Sequence, residues 1–511
     1  MEAEKDRAFR LLVVLLLNII SIATVLFAAY LLITARTAYN YAISIAFAIL
    51  VFIASFFNVY SSIWYYKSYK YESQWERDRK KLGKLKSFPT VAVAMPVFNE
   101  ASEVVGNNAK ALTQMNYPKD RIKFYMLDDS TDKLKASKIR AIAKRYNFVY
   151  IHRNNRKGYK AGALNNMLKY SKEEFVAVFD SDERLVNKNF LIDTLPYFKD
   201  KKVAYVQTEK RFEKGSFFSD AIDIFEAFFF KFIQSGRALN NTTIFAGSCG
   251  VLRRSLIDAV GGFPEYVLED TFFSFEASIH GYRNIYVPKN YALGQPLVSF
   301  TALAKQQWRY NYGGTQFIDY YLRKDKSKLS LQAKIDYLLH GTGLDYVSVF
   351  LILFSIISIG IVFMVTPLPP ITLANFESML SNPFVMLEMM GIIAFAGSFM
   401  LPVILSGLYF GSYKKGFMVT FLNYALAVIR SKAAIAMLLH KEPGVQWSKA
   451  AQKSNGILYS IYAARTEIAL ASFIWVFAYI AINGSNLYGG IWLVGYGMLY
   501  ALTALFLKVY G

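Results

Sequence analysis

The sequence predicts an α/β domain with a mainly parallel, Rossmann-like sheet, inserted between blocks of membrane-spanning helices. Three observations carry this expectation. Between about residues 87 and 300, short β-rich apolar runs alternate with helical segments. Apolar runs of bilayer-spanning length bracket that stretch on both sides. Basic clusters alternate with gaps that carry little or no Lys or Arg between those runs, as the positive-inside rule requires.

The elements follow in order. Spans are expected near Phe9–Thr34 and Tyr41–Tyr65, the first long enough to be an uncleaved anchor and not a signal peptide. A basic stretch from Lys67 to Lys86 leads into the α/β region. Further spans are expected near Tyr346–Thr366, Phe384–Phe410, Glu467–Asn483 and Gly489–Lys508. Phe417–His440 is apolar at both ends but carries Arg430 and Lys432 midway, and charges at bilayer depth are costly, so it is expected to be interfacial or re-entrant. The gap 367–382 has no Lys or Arg, whereas Lys414, Lys415, Lys441, Lys449 and Lys453 make the segments around it basic. This pattern gives about six spans, with both termini and the α/β domain in the cytoplasm. The chain divides into two N-terminal spans (1–66), the cytoplasmic domain (67–300), amphipathic interfacial helices (301–340) and a C-terminal bundle (341–511).

Composition narrows the function. Cys249 is the single cysteine, which excludes an intrachain disulfide framework and points away from a thiolate metal site. The net charge of +21 suggests an anionic partner. Its basic residues crowd beside apolar spans and form no base-reading helix, so membrane lipid headgroups are the expected partner and nucleic acid is not.

Strands are expected at Thr90–Met95, Ile122–Leu127, Phe148–His152, Phe175–Phe179 and Val203–Gln207, with helices at Lys133–Arg145 and Ala161–Tyr170. Ligands of open α/β sheets bind beyond the carboxyl ends of strands. Three polar clusters fall there: Pro96-Val97-Phe98-Asn99-Glu100, Asp128-Asp129-Ser130 and Asp180-Ser181-Asp182. Asp180 and Asp182, two apart in a turn, can aim both carboxylates at one Mg²⁺ or Mn²⁺, an ion that takes few carboxylates plus substrate phosphates. Asp128 and Asp129 suit a ribose or base edge. Lys160, at the start of a helix opened by small residues, can face an anion together with the helix amides. Glu269 and Asp270 open another helix, and Asp270 is the candidate general base. Gln306 to Tyr310 lies in an aromatic amphipathic stretch, where Arg309 can meet phosphate oxygens and a ring can underlie a sugar. Phe217–Ile233 reads as a second amphipathic helix with one apolar face.

Taken together these motifs resemble the membrane-integrated branch of family 2 glycosyltransferases, which includes cellulose, hyaluronan and chitin synthases and ceramide glucosyltransferases. The resemblance runs from about Thr90 to Gly314. It implies a GT-A domain and inverting transfer of a sugar from a nucleotide-sugar, with UDP as the usual nucleotide. It implies that Asp270, with Glu269, is catalytic and that Asp180 and Asp182 hold Mg²⁺ or Mn²⁺. Pro96, Asn99, Glu100, Asp128, Asp129, Lys160, Asp180, Gln306 and Arg309 would bind the nucleotide-sugar. Gly247, Ser248, Cys249, Trp308 and Tyr310 would line the acceptor. Tyr310 replaces the family's usual Trp, although Trp308 lies two residues earlier, and Leu268 replaces the usual Thr before Glu269.

The leading expectation is a plasma-membrane enzyme that extends a polysaccharide and threads it across the bilayer. The alternative is transfer of one sugar to a membrane lipid, as in ceramide glucosyltransferases. A nucleotide-binding transporter without catalysis leaves Glu269–Asp270 and Gln306–Arg309 without a task.

Overall fold

A computed structural model describes residues 2–83, 85–364, 383–441 and 456–510. The gap 367–382, which has no Lys or Arg, and the basic residues Lys449 and Lys453 lie outside the described residues.

The α/β domain is built on an eight-stranded sheet in the order β3-β2-β1-β4-β7-β6-β8-β5. Its strands are β1 (Val91–Val97), β2 (Ile122–Asp128), β3 (Phe148–His152), β4 (Phe175–Val178), β5 (Glu183–Leu185), β6 (Val203–Phe212), β7 (Gly250–Arg253) and β8 (Arg283–Gly294). The five expected strands are β1 to β4 and β6. The sheet is mixed: β3, β2, β1 and β4 run parallel, while β7 enters antiparallel beside β4.

Side-chain alternation explains why the central strands read as unbroken apolar runs: both faces are covered. Val91, Val93 and Met95 pack on one face with Val105 and Ala109 of helix Ser102–Leu112 and Ile139 and Ala143 of helix Lys133–Arg145. Ala92 and Ala94 pack on the other with Ala163, Leu164 and Met167 of helix Tyr159–Leu168 and with Phe273 of helix Glu269–Ile279.

Six helices among the described residues are long and apolar enough to cross a membrane, which makes the chain a multi-pass membrane protein by length and composition. Five overlap expected spans: Asp6–Thr34, Ala38–Leu82, Val347–Met364, Arg465–Asn483 and Leu487–Tyr510. The expected span 384–410 is helical over Pro383–Phe410. The sixth qualifying helix is Tyr413–Leu438, the segment for which the sequence suggests an interfacial or re-entrant course. It is one unbroken helix. Its buried Arg430 donates to Gln307 Oε1 at 2.9 Å and Asn423 Oδ1 at 3.1 Å, and Lys432 donates to Thr466 Oγ1 at 2.8 Å.

Two junctions differ from the sequence division. Ala38–Leu82 is a single helix of 45 residues, so the basic stretch after the second span continues it. Its Trp75 enters the core beneath the sheet and donates to Tyr197 Oη at 2.6 Å. Likewise Leu331–Met364 is continuous from the amphipathic region into the third span.

The expected amphipathic helix 217–233 keeps one face only over Phe217–Phe228. A π-helical turn, Phe229–Gln234, then rotates the register and buries Phe230, Phe232 and Gln234. This helix, the amphipathic helix Phe300–Arg323 and Tyr413–Leu438 share an apolar cluster that includes Phe218, Ile222, Leu303, Leu422 and Leu426. Lys415 pairs with Asp220 across it at 2.8 Å. The three helices form a platform under the sheet.

Candidate active site

The topology brings the expected residues to one edge. Parallel β2, β1 and β4 end side by side, so the loops after Val97, Asp128 and Val178 share the sheet's carboxyl edge. Because β7 is antiparallel to β4, its start lies at that same edge: Cys249 donates its amide to Val178 O at 2.8 Å. Strand β6 runs back antiparallel to β7, and its polar end passes beyond the edge, which carries Lys210 to Asp180 and Glu183.

The residues resolve into two groups. In the first, Asn99 ties the loop after β1 to the loop after β2. Its amide oxygen accepts from the Thr131 and Asp132 amides, both at 3.1 Å, and its backbone NH donates to Ser130 Oγ at 2.9 Å. Glu100 folds back on the Phe98 amide, and Pro96 lies within β1 opposite Leu127. Asp128, fully buried, accepts from Tyr150 Oη at 2.7 Å and the Ser130 amide at 2.9 Å. Asp129 forms a two-pronged ion pair with Nε and Nη2 of Arg153; Nη2 also donates to the Tyr159 carbonyl and Nη1 to that of Lys157. Arg156 stacks on Phe98 with its guanidinium 3.3 Å from the ring centroid. Arg153 and Arg156 belong to no motif. The signal for them is the charge run Arg153 to Lys160 directly after β3.

In the second group, side chains from distant segments converge on Gly247. A Cβ at Gly247 would lie 3.3 Å from Asp270 Oδ2, 3.4 Å from Lys160 Nζ and 3.8 Å from Glu269 Oε1. Its φ of +77° is in the left-handed region, so glycine fits here on both counts. Lys160 pairs with Asp180. Burial works against its ammonium, but Asp180 and Glu269 outweigh that and raise its pKa.

Beneath them Glu183 is a hub. It accepts from Ser248 Oγ at 2.6 Å, the Asp180 amide at 3.0 Å and Cys249 Sγ at 3.3 Å, and pairs with Lys210 at 2.8 Å. Ser248 and Cys249 are thereby turned inward and buried, and burial with the adjacent Glu183 pushes the Cys249 thiol pKa well up. Of Gly247, Ser248 and Cys249, three of the five residues expected to line the acceptor, Gly247 is the one that adjoins the Asp270 group. Asp182 is also buried, two residues from Asp180, and its carbonyl accepts from the Gln295 amide at 3.0 Å.

Helix Phe300–Arg323 closes the site. Gln306 and Tyr310, one turn apart, share a face: the Gln306 amide donates to Tyr310 Oη at 3.1 Å and to Glu226 Oε1 at 3.3 Å. Arg309 acts on Glu269 and Asp270. Trp308 sits roughly 200° around the helix from Gln306, so it does not stand in for the ring at position 310. Gln307 faces the neighbouring helix and receives Arg430. Glu226, Lys210 and Glu183 were not legible as motif residues; each is a lone charge in an otherwise apolar or mixed segment.

Burial, then the adjacent Asp270, raises the Glu269 carboxyl to about 7, while Lys160 and Arg309 pull it back. Burial also raises Asp270, against the Thr271 amide and the same cations. Both shifts favour the protonated form. The folded protein therefore holds protons that the unfolded chain releases from about pH 4.5 upward, and the pair's contribution to stability falls as pH rises toward about 7. A chemistry that needs the pair ionised responds oppositely. We expect kcat/KM for transfer to rise with pH up to about 7 and then level. A rate profile flat from pH 5.5 to 8 contradicts an essential carboxylate here.

Six carboxylates, Asp180, Asp182, Glu183, Glu226, Glu269 and Asp270, face three cations, Lys160, Lys210 and Arg309, so the site is rich in carboxylates. Among the described residues no three His, Cys, Asp or Glu side chains close on one point as a finished metal cage. Asp180 and Asp182 are the residues that would hold Mg²⁺ or Mn²⁺, an ion that takes one or two carboxylates and completes its shell with water and substrate phosphates.

The mixed sheet, its helices and the membrane platform define the GT-A class of fold. Residues 175–439, more than half of the sequence, match the family described as glycosyl transferase family group 2, and the chain belongs to it. A UDP-forming cellulose synthase catalytic subunit of Pseudomonas fluorescens (strain SBW25) is 28% identical over 236 residues, 45% of this chain and 31% of that protein. A probable glucomannan 4-beta-mannosyltransferase 2 of Oryza sativa subsp. japonica is 33% identical over 239 residues, 44% of this chain and 41% of that protein. The chain thus spans less than half the length of these curated relatives. Among solved structures, a mannosyltransferase from Pyrobaculum calidifontis in complex with GDP-Man and Mn²⁺ is 18% identical with a TM-score of 0.48, covering 75% of this chain and 99% of that one.

Proposed function

We propose that the protein is an inverting glycosyltransferase that moves a sugar from a UDP-linked donor to a growing polysaccharide and passes the polymer through its helical bundle. The observation that carries the reading is the convergence of Asp270, Glu269 and Lys160 around Gly247, with Asp180 paired to Lys160. An acceptor hydroxyl beside Asp270 loses its proton to that carboxylate as its oxygen bonds to the anomeric carbon. The bond from that carbon to the nucleotide diphosphate breaks on the opposite side, which inverts the configuration.

Lys160, Arg309 and Gln306 receive the diphosphate's charge, and Tyr310 offers a ring to the acceptor. Asn99, Asp128 and Asp129 hold the loops that would cradle the nucleotide. Mg²⁺ or Mn²⁺, held by Asp180 and Asp182, would neutralise the departing diphosphate. The names of the cellulose and glucomannan enzymes among the relatives support a polysaccharide acceptor. The proposed setting is the plasma membrane, with the GT-A domain and both termini cytoplasmic. The packing of Tyr413–Leu438 against both amphipathic helices supports an interfacial place for it, despite its spanning length.

The test is incubation of the purified full chain in lipid with radiolabelled UDP- and GDP-linked sugars. A ladder of long products supports the reading. A single sugar on lipid replaces it with glycolipid synthesis, and no product from any donor removes it. EDTA is expected to abolish transfer and added Mn²⁺ or Mg²⁺ to restore it, with Asp182→Ala both slow and insensitive to the added ion. Full activity in EDTA sinks the metal assignment.

A further inference from the structure

We infer that the start of the first helix and the stretch of the second just past its apolar run form a binding site for the phosphate headgroup of an anionic phospholipid. A cavity of about 360 Å³ lies between them, and its lining includes Arg7, Arg10, Tyr66, Tyr69, Lys70 and Arg77, with no carboxylate. Helical spacing builds it: Arg7 and Arg10 are one turn apart on one helix, and Tyr66, Tyr69, Lys70 and Arg77 form one stripe of the other.

Arg10 is the back wall, 1% exposed and held by Asp6, Ser68 and Glu72. Arg7, Lys70 and Arg77 are exposed and have no carboxylate partner among the described residues. The Arg7 guanidinium lies 5.9 Å from the Tyr69 ring centroid, a placement that leaves its edge for an anion.

The position selects a lipid over a soluble phosphate. The apolar run of the first helix starts at Phe9 and that of the second ends near Tyr65, so Arg7, Tyr66, Tyr69 and Lys70 sit at headgroup depth, with Arg77 further out along the same helix. From it run two exposed apolar stripes, Leu11, Leu15, Ile19 and Ile22 on one helix and Tyr66, Ile63, Val59 and Phe56 on the other. These stripes suit acyl chains. The cations suit the phosphate, and each basic residue near an anionic surface is worth roughly fivefold in binding.

The test uses the purified full chain, delipidated and re-equilibrated with phosphatidylcholine vesicles with and without phosphatidylglycerol, and counts retained lipid by native mass spectrometry. Wild type is expected to retain phosphatidylglycerol selectively. The Arg7→Gln/Lys70→Gln/Arg77→Gln variant is expected to bind it on the order of 100-fold more weakly. Arg79→Gln/Lys80→Gln/Lys81→Gln, in the same basic run but outside the cavity, is expected to match wild type. Equal retention by the cavity variant, or equal loss in the control variant, overturns the site. Displacement of the lipid by millimolar inorganic phosphate or glycerol phosphate overturns the lipid assignment in favour of a soluble phosphate. Thermal midpoints of all three proteins are expected to agree, since the substituted side chains are surface groups.

Discussion

Asp270→Asn is expected to slow sugar transfer by about 10²- to 10⁴-fold, the range a positioned general base supplies. The amide keeps the size of the side chain and its bond from the Thr271 amide, 2.7 Å in the native protein, so the helix start is preserved. It cannot take a proton. The KM for the donor is expected to stay within a few-fold, because Lys160, Asp180 and Arg309 are untouched. Burst and steady-state assays with radiolabelled donor separate the two effects. Turnover near wild type would remove Asp270 from the role and pass it to Glu269, whose carboxyl lies in the same cluster.

Glu183→Ala is expected to be the most destabilising single change at the site. Glu183 is 3% exposed and links four partners from three segments. Its loss leaves the Lys210 ammonium buried with only Asp180, 3.8 Å away, as a carboxylate partner. Stranding one half of a buried ion pair costs about 3–5 kcal/mol. The residual Asp180 contact argues for the low end, about 3 kcal/mol, or a fall on the order of 5–10 °C in the melting midpoint of a domain this size. Glu183→Gln, whose single oxygen can keep either the bond from Ser248 or that from the Asp180 amide but not both, is expected to fall between Glu183→Ala and wild type. Identical melting of Glu183→Ala and wild type would show that the hub does not hold the strand ends together.

Much of the fold is written in local patterns. Val91–Val97 and Phe175–Val178 are apolar on both faces, which only a covered central strand requires, and the spanning helices declare themselves by length. The missed strands lack such marks. β5 has three residues; β7 has four, ending in Arg253; β8 contains Pro288 and Asn290 and pairs through register shifts. The chemistry-bearing pairs Asp180–Asp182 and Glu269–Asp270 were legible because short spacing makes them conspicuous. Lys210 and Glu183 were not, since what joins them is the pairing of β8 with both β6 and β5, a tertiary fact with no local signature. Sequence proximity alone does not put Trp308 and Tyr310 on one face, since two residues along a helix point in nearly opposite directions.

The 45-residue helix Ala38–Leu82 carries a consequence for the acceptor. From Tyr65, at the end of its apolar run, to Trp75, packed in the core of the sheet, is ten residues of unbroken helix, or about 15 Å. A strut of this kind fixes the altitude of the reaction above the bilayer and leaves no hinge by which the catalytic head could dip toward it. Under the proposed function, this helix sets the distance from the spanning segments at which an acceptor hydroxyl meets the site.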